Sequence, residues 1–212
     1  MANVQPFSAL RFDTGKVQLE NVLTQPYDKI TPEMQAAYYV KSPHSLISLE
    51  LGRTASADTE QDNVYTRAAS FLSGTISEGV LRRDPEPSFY YYAQRFEVPG
   101  APGQWRTRAG FIGLCQLYDY PEHVVHRHEQ TLSKPKADRL NLLRATRTHS
   151  GQIFLVYSDP QSEVDDLLAK SVDSNRPSAT MVDEYDVRHT IDRKSTRLNS
   201  SHLKLSRMPS SA

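Results

Sequence analysis

A single cysteine, Cys115, is the whole thiol content of the 212 residues, so no intrachain disulfide can form and no cysteine-based zinc spacing can be written. That scarcity points to a reducing compartment, and the expected location is cytoplasmic. No apolar run is long. Ile153 to Tyr157 is the most apolar stretch, against the roughly 18 residues a spanning helix needs, and the N-terminus has no basic head followed by an apolar segment. Neither membrane insertion nor a secretory leader is expected. Net charge is lacking too, with 25 basic and 25 acidic side chains, which removes the bulk field that draws proteins to nucleic acid or to anionic membranes. Neither G-x-G-x-x-G nor G-x-x-x-x-G-K-[ST] occurs, so there is no glycine-rich phosphate loop.

The charge balance is uneven along the chain. Asp192 to Ala212 takes five of the basic side chains, only one of the acidic ones and six serines, leaving the remaining body with a net charge of −4. Such a composition reads as a disordered basic arm. The stretch also resembles something else: Asp192 to His202 is similar, codon by codon, to the translation of the adapter ligated to DNA fragments for short-read sequencing, and Ser206 to Ala212 resembles the next constant segment in the same frame. This resemblance implies a native body at residues 1–191, the N-terminal part of a longer protein, and a non-native, disordered tail at 192–212 that makes no packed contact. The strand near Val187 to Ile191 would then be left without following partners.

Local signals in the body alternate between helical and extended. Thr31-Pro32-Glu33 is a helix start, predicting a helix through Met34 to about Val40. Val64, Ala68, Phe71 and Leu72 recur at helical spacing between Glu60 and Glu78, with Gly79 where a C-terminal cap belongs. Ser45 to Leu51 reads as a strand. Ser88 to Val98 and Gln104 to Tyr118 are rich in aromatic and β-branched residues around Pro99-Gly100-Ala101-Pro102-Gly103, predicting an antiparallel hairpin. Pro135 to Thr148 reads as a second helix, Gly151 to Ser158 as a buried strand, Pro160 to Lys170 as a third helix, and Ala179 to Ile191 as two short strands around an acidic turn. The expected class is α+β, a mixed, largely antiparallel sheet with flanking helices.

Chemically able side chains are densest between Glu122 and His149. His126 and His128 are two apart and would share a strand face, but Gln130 and Leu132 stand where a zinc-protease helix needs its second histidine, so no metal site is assigned. On the helix from Pro135, Lys136, Arg139, Arg144 and Arg147 fall within about a 140° arc that also holds Leu140 and Leu143, a mixture that suits either a pocket for an anion or arginines snorkelling at a buried edge. The competing reading is that acids such as Glu129 or Asp138 pair with these arginines structurally. Gln25-Pro26-Tyr27-Asp28 is a proline turn whose aspartate either caps or catalyses. Tyr90-Tyr91-Tyr92 reads as a strand alternating between core and surface, and Cys115 as a small core residue.

Pro6-Phe7, Pro26-Tyr27-Asp28, the run His128-Glu129-Gln130-Thr131 with Lys134, Asp138-Arg139 and Leu142-Leu143, and Ile153-Phe154-Leu155 with Tyr157-Ser158-Asp159 together resemble the bacterial and archaeal family called domain of unknown function 1015 (DUF1015). Gln25 departs from the proline usual there, and the family's downstream Asp-Gly-His-His-Arg-Tyr motif is not in this chain. The resemblance implies a ParB-like fold group that includes nucleotide-binding proteins and small-molecule kinases. The leading expectation is a small-molecule enzyme with an arginine-lined anion site, working by nucleotide-dependent phosphoryl transfer: His128, Glu129, Asp138 and Asp28 as acid–base residues, Arg139, Arg144, Arg147 and Lys134 as substrate-binding residues. The ligand would be an anionic small molecule or a nucleotide, with no membrane partner and no nucleic acid for this fragment. The alternative is a non-catalytic ParB-like module that binds a nucleotide, DNA or a partner.

Overall fold

The computed structural model describes residues 2–127, 132–171 and 177–195. Along the chain run β1 (Val4–Gln5), β2 (Leu10–Phe12), α1 (Leu19–Val22), a 3-10 turn (Tyr27–Lys29), α2 (Pro32–Lys41), α3 (Ile47–Glu50), α4 (Val64–Ser77) and β3 (Leu81–Arg83). There follow β4 (Ser88–Glu97), β5 (Trp105–Ile112), β6 (Leu114–Cys115), a second 3-10 turn (Tyr120–Glu122), α5 (Ser133–Thr146), α6 (Glu163–Ser171), β7 (Ala179–Val182) and β8 (Arg188–Ser195). Every strand pairing among the described residues is antiparallel, and the class is α+β. No helix of the described residues is long and apolar enough to cross a membrane. The chain divides into two compact units, one made of Met1–Ala9, Asp84–His128 and Phe154–Ala212, the other of Leu10–Arg83 and Glu129–Ile153.

The first unit is built on a four-stranded sheet in the order β5-β4-β8-β7. Gly100 and Gly103 both take positive φ, 78° and 79°, in the loop that joins β4 to β5, backbone that glycine adopts without steric cost. Directly opposed residues of antiparallel strands share a face. Phe89 and Tyr91 of β4 therefore project with Phe111 of β5, and they pack with Val4, Tyr157 and the α6 residues Val164, Leu167 and Leu168. Burying each such aliphatic side chain contributes about 1.5–3 kcal/mol. Helix α6 starts where the Asp159 carboxylate accepts the backbone N–H groups of Glu163, Val164 and Asp165 at 2.9–3.1 Å. That carboxylate satisfies donors that no helical carbonyl reaches and complements the positive end of the helix dipole.

The second unit is mainly helical. The Thr31 hydroxyl caps α2 by accepting from Met34 N. Asn63 and Thr66 form a reciprocal capping box at the start of α4, which fixes the helix entry after the polar 51–62 loop. Its end is marked by Gly79 at φ 66°. Leu49 of α3, Ala68 and Leu72 of α4, Leu81 of β3 and Leu142 of α5 form the buried core, with Phe12, Leu46, Tyr65 and Phe71 packed around it.

Four expectations are corrected. Ser45 to Leu51 is not a strand, since Ile47–Glu50 forms one turn of helix, α3. Its alternation of buried Ser45, Ile47 and Leu49 is real, but so short a segment cannot separate a period of 2 from a period of 3.6. Gly151 to Ser158 is neither a strand nor buried: Ile153, Phe154, Leu155 and Val156 are all exposed. The chain passes from one unit to the other between Ile153 and Phe154, and a strand needs a paired neighbour that an apolar run cannot supply by itself. Finally, residues 192–195 are not an unpacked tail. They complete β8, pairing Asp192 with Tyr91 and Ser195 with Ser88. Asp192 is buried and its carboxylate accepts from the Ser178 hydroxyl at 2.8 Å. Strand pairing uses backbone groups that every residue but proline carries, so a polar, basic sequence completes the ladder as well as an apolar one. Nor is β8 unpartnered, for it lies between β4 and β7. The remainder, 196–212, lies outside the described residues.

Two outcomes follow from this architecture. A chain ended after Ile191 should be less stable than one ended after Ser195 by about 1–3 kcal/mol, the scale of a few lost hydrogen bonds around a buried polar group, as read from paired urea melts. Equal midpoints would remove the structural role given to Asp192–Ser195. Burial, and then Asp165 and Asp159, push the Tyr157 phenol up to about 12. The folded state favours the neutral phenol, so this contribution is complete below the ordinary tyrosine value near 10 and is lost as pH rises through 12. Tyr157→Phe should show a smaller fall in stability over that interval.

Candidate functional site

The second unit brings together residues from four stretches of its sequence. Pro26 sets a turn in which Tyr27 and Asp28 begin a short 3-10 segment. Glu50 is the last residue of α3, Tyr65 lies in the first turn of α4, and Asp138 and Arg139 lie in α5. The packing of α4 against α5 places the Tyr65 hydroxyl 3.0 Å from Asp138 Oδ1, to which it donates.

Arg139 is the centre of the cluster. Its Nε and Nη2 donate to Asp138 Oδ2 at 2.9 and 2.6 Å, Nη1 donates to Glu50 Oε2 at 3.2 Å, and Nη2 also donates to the Glu50 carbonyl at 2.9 Å. The face of the guanidinium lies 4.3 Å from the centroid of the Tyr27 ring, a cation–π contact. Of the five guanidinium N–H donors, four are engaged. One bond goes to a carbonyl at the C-terminal end of α3, where helical carbonyls lack partners and the dipole favours a cation. Gln35 of α2 donates to the neighbouring carbonyl of Leu51 at 2.8 Å, so two side chains close the same helix end.

The charges within the cluster do not cancel. Two carboxylates face one guanidinium. The Glu50 side chain is only 13 % exposed, Arg139 27 % and Asp138 41 %. Burial first, and then the hydrogen bond to Asp138, push the Tyr65 phenol up, so at neutral pH it serves Asp138 as a donor. The arrangement fixes the Asp138 carboxylate from two sides while leaving it the most open of the three charged groups.

Of the residues expected to form a site, the structure joins Asp138 and Arg139, and sets them beside the turn that carries Asp28 through its neighbour Tyr27. Asp28 itself is exposed. His128 and Glu129 lie outside the described residues, as does the side chain of Lys134. Lys136 and Arg144 are exposed on α5, and Arg147 is exposed at its C-cap with φ 52°. Among the described side chains of the helix the buried one is Leu142, and of the predicted arc of cations Arg139 alone turns inward. The structure adds Glu50 and Tyr65, which the sequence reading did not select, and Tyr27, which it named only as part of the proline turn. Cys115 is half-buried, and its thiol is pushed up by burial, which disfavours the nucleophilic thiolate. Among the described residues no group of three His, Cys, Asp or Glu side chains is placed to hold a metal ion.

The sequence model of the family described as "Protein of unknown function (DUF1015)" matches residues 4–203. The chain belongs to the DUF1015 family. Comparison with curated proteins and with solved structures gives no match. The match runs past Ile191, and it spans both units of this DUF1015 chain, including the Tyr27 turn and the Asp138-Arg139 pair.

Arg139→Ala should destabilise the DUF1015 chain by about 2–4 kcal/mol, because it leaves the nearly buried Glu50 carboxylate and a helix-end carbonyl without their partner. Arg139→Lys should recover less than half of that loss, since a point charge cannot span two carboxylates and a carbonyl as the fork does. Chemical denaturation of the three chains checks this, and a neutral Arg139→Ala would show that the cluster does not hold the fold.

Proposed function

We propose that the complete protein is a cytoplasmic enzyme acting on a small anionic metabolite, with the Asp138–Arg139 cluster as its reacting site. The observation that carries the reading is the convergence of the Pro26-Tyr27-Asp28 turn and the Asp138-Arg139 pair, far apart in sequence, on one partly exposed spot. Asp138 takes the role of general base or acid. It is oriented by Tyr65 and Arg139, and its exposure gives a substrate hydroxyl access to it. Arg139, with most of its donors engaged by Asp138 and Glu50, orients Asp138 rather than clamping the substrate. In the finer form of the proposal the reaction is phosphoryl transfer from a nucleotide: an aspartate accepts the proton of the attacking hydroxyl while cations steady the charge on the transferred group. Glu129, before α5 in the sequence, and Lys134, within it, are assigned the remaining acid–base and anion contacts, with Arg144 and Arg147 as outlying cations.

A second reading is supported by the commitment of four Arg139 donors to the protein itself. On that reading the cluster is a structural clip within a non-catalytic ParB-like module that binds a nucleotide or a macromolecular partner. The two separate by experiment with ATP as the probe, measuring heat of binding and ADP formation in the presence of a panel of small hydroxy acids and amino alcohols. The enzyme reading expects Asp138→Asn to bind ATP within about threefold of the parent and to lose turnover by 10²-fold or more, the scale of general base removal. Unchanged turnover in Asp138→Asn rejects Asp138 as the base, and ATP binding without turnover in any combination favours the module.

A further inference from the structure

A second constellation lies in the first unit and owes nothing to the Arg139 cluster. On the sheet face opposite Phe89 and Tyr91, the register sets Arg108 of β5, Gln94 of β4 and His189 of β8 side by side, with Gly110, Tyr92 and Ile191 as the adjacent row. Tyr92 Oη is 2.7 Å from His189 Nδ1, and His189 Nε2 is 3.1 Å from Asp183 Oδ2. Asp183 is held in turn by the backbone N–H groups of Tyr185 and Val187, which donate to its other oxygen at 2.9 and 3.0 Å. An ionised carboxylate only accepts, so the neutral imidazole carries its proton on Nε2 and its Nδ1 accepts from the Tyr92 hydroxyl.

Two further features adjoin this relay. Arg108 directs Nε and Nη2 to the amide oxygen of Gln94 at 3.1 and 2.5 Å and lies over the ring of Phe154, 5.4 Å from its centroid. The hydrogen-bond acceptor it meets is neutral, so its charge is not cancelled there, unlike that of Arg139. Arg106 follows two residues along β5 on the same face and is exposed. Beside Tyr92 the opposing residue is Gly110, where a Cβ would meet nothing within 4 Å. The result is an open floor of backbone, edged by a guanidinium and by a tyrosine hydroxyl held in a charged relay.

We propose that this face is a binding site for a small phosphate-bearing molecule, seated over Gly110 with its phosphate on Arg108 and Arg106. Phosphate suits the two guanidinium groups because a dianion matches their charge and offers oxygens to both forks. The Tyr92 hydroxyl, committed to His189 Nδ1, forms a fixed wall of the floor beside Gly110, and Asp183 holds the imidazole from its other side. The relay thus shapes the seat, while the two guanidinium groups hold the phosphate.

Sulfate, a tetrahedral dianion, is the probe. It is titrated into the ¹⁵N-labelled full chain while the imidazole nitrogens are followed, His189 being assigned from the His189→Gln spectrum. The expected result is a saturable shift of the His189 ring nitrogens, which lie beside the floor. Arg108→Gln should weaken sulfate at least tenfold. Gly110→Leu, which fills the floor, should do the same with an unchanged melting temperature, an effect no purely structural role of the relay produces. Absence of any saturable His189 shift overturns the site, and so does a Gly110→Leu chain that binds sulfate like the parent. Acetate binding as tightly as sulfate would overturn the phosphate assignment.

Discussion

The constraint on which the helical unit depends is the demand of one guanidinium. Arg139 cannot lose its charge and carries five donors in a rigid plane, so wherever it is drawn inward the fold must present acceptors in that plane. Glu50 supplies two, its carboxylate and its carbonyl, and Asp138 supplies the third. Meeting that demand ties the C-terminal end of α3 to α5, and the Tyr27 ring covers one face of the plane. Removing such a partner would expose the full desolvation cost of a nearly buried carboxylate. The same bonds leave Asp138 in a single orientation with one side open, so the structural and the chemical consequences of Arg139 arise from one set of contacts.

A different economy governs the first unit. There the organising contacts are backbone ladders, with β8 paired on both sides, and they tolerate side chains of almost any kind. Tolerance explains why the serine- and lysine-containing end of β8 pairs with β4 although its composition suggests a disordered arm. What the ladder does not tolerate is an unsatisfied buried polar group, and Asp192 avoids that condition through Ser178.

Legibility in the sequence follows from how local the determining forces are. The β4–β5 hairpin was readable because glycines in its loop and aromatics in its strands act within a few residues, and α4 because Asn63, Thr66 and Gly79 mark both of its ends. Asp138 and Arg139 stand out through the run that carries the family resemblance, and Arg139 also through its place on a recognisable helix. Glu50 was missed because its segment was taken for a strand, and a single helical turn has no periodicity of its own. Tyr65 was missed because an aromatic residue near a helix start reads as core, and only its distance to Asp138 distinguishes it. The exposed run Ile153 to Val156 differs in the opposite sense: its hydrophobicity is local, but the presence of a neighbouring strand to pair with is not.

The arc of cations on α5 fails for a reason that bears on ligand class. Helical angle tells which side chains share a face, and says nothing of the acids that other elements bring to them. Arg139 shares its face with leucines, yet it meets Glu50 from α3 and Asp138 from its own helix, two negative charges to its one. Arg108, read from sequence as one more strand residue, meets the amide of Gln94, which is without charge. An arginine whose acceptors are carboxylates has most of its attraction for a further anion already cancelled, whereas one whose acceptor is an amide retains it. The charge of the acceptor, more than the presence of the guanidinium, therefore decides where an anion is held. By that criterion the Asp138–Arg139 cluster is suited to take a proton from a substrate, and the Arg106–Arg108 face is suited to hold a phosphate.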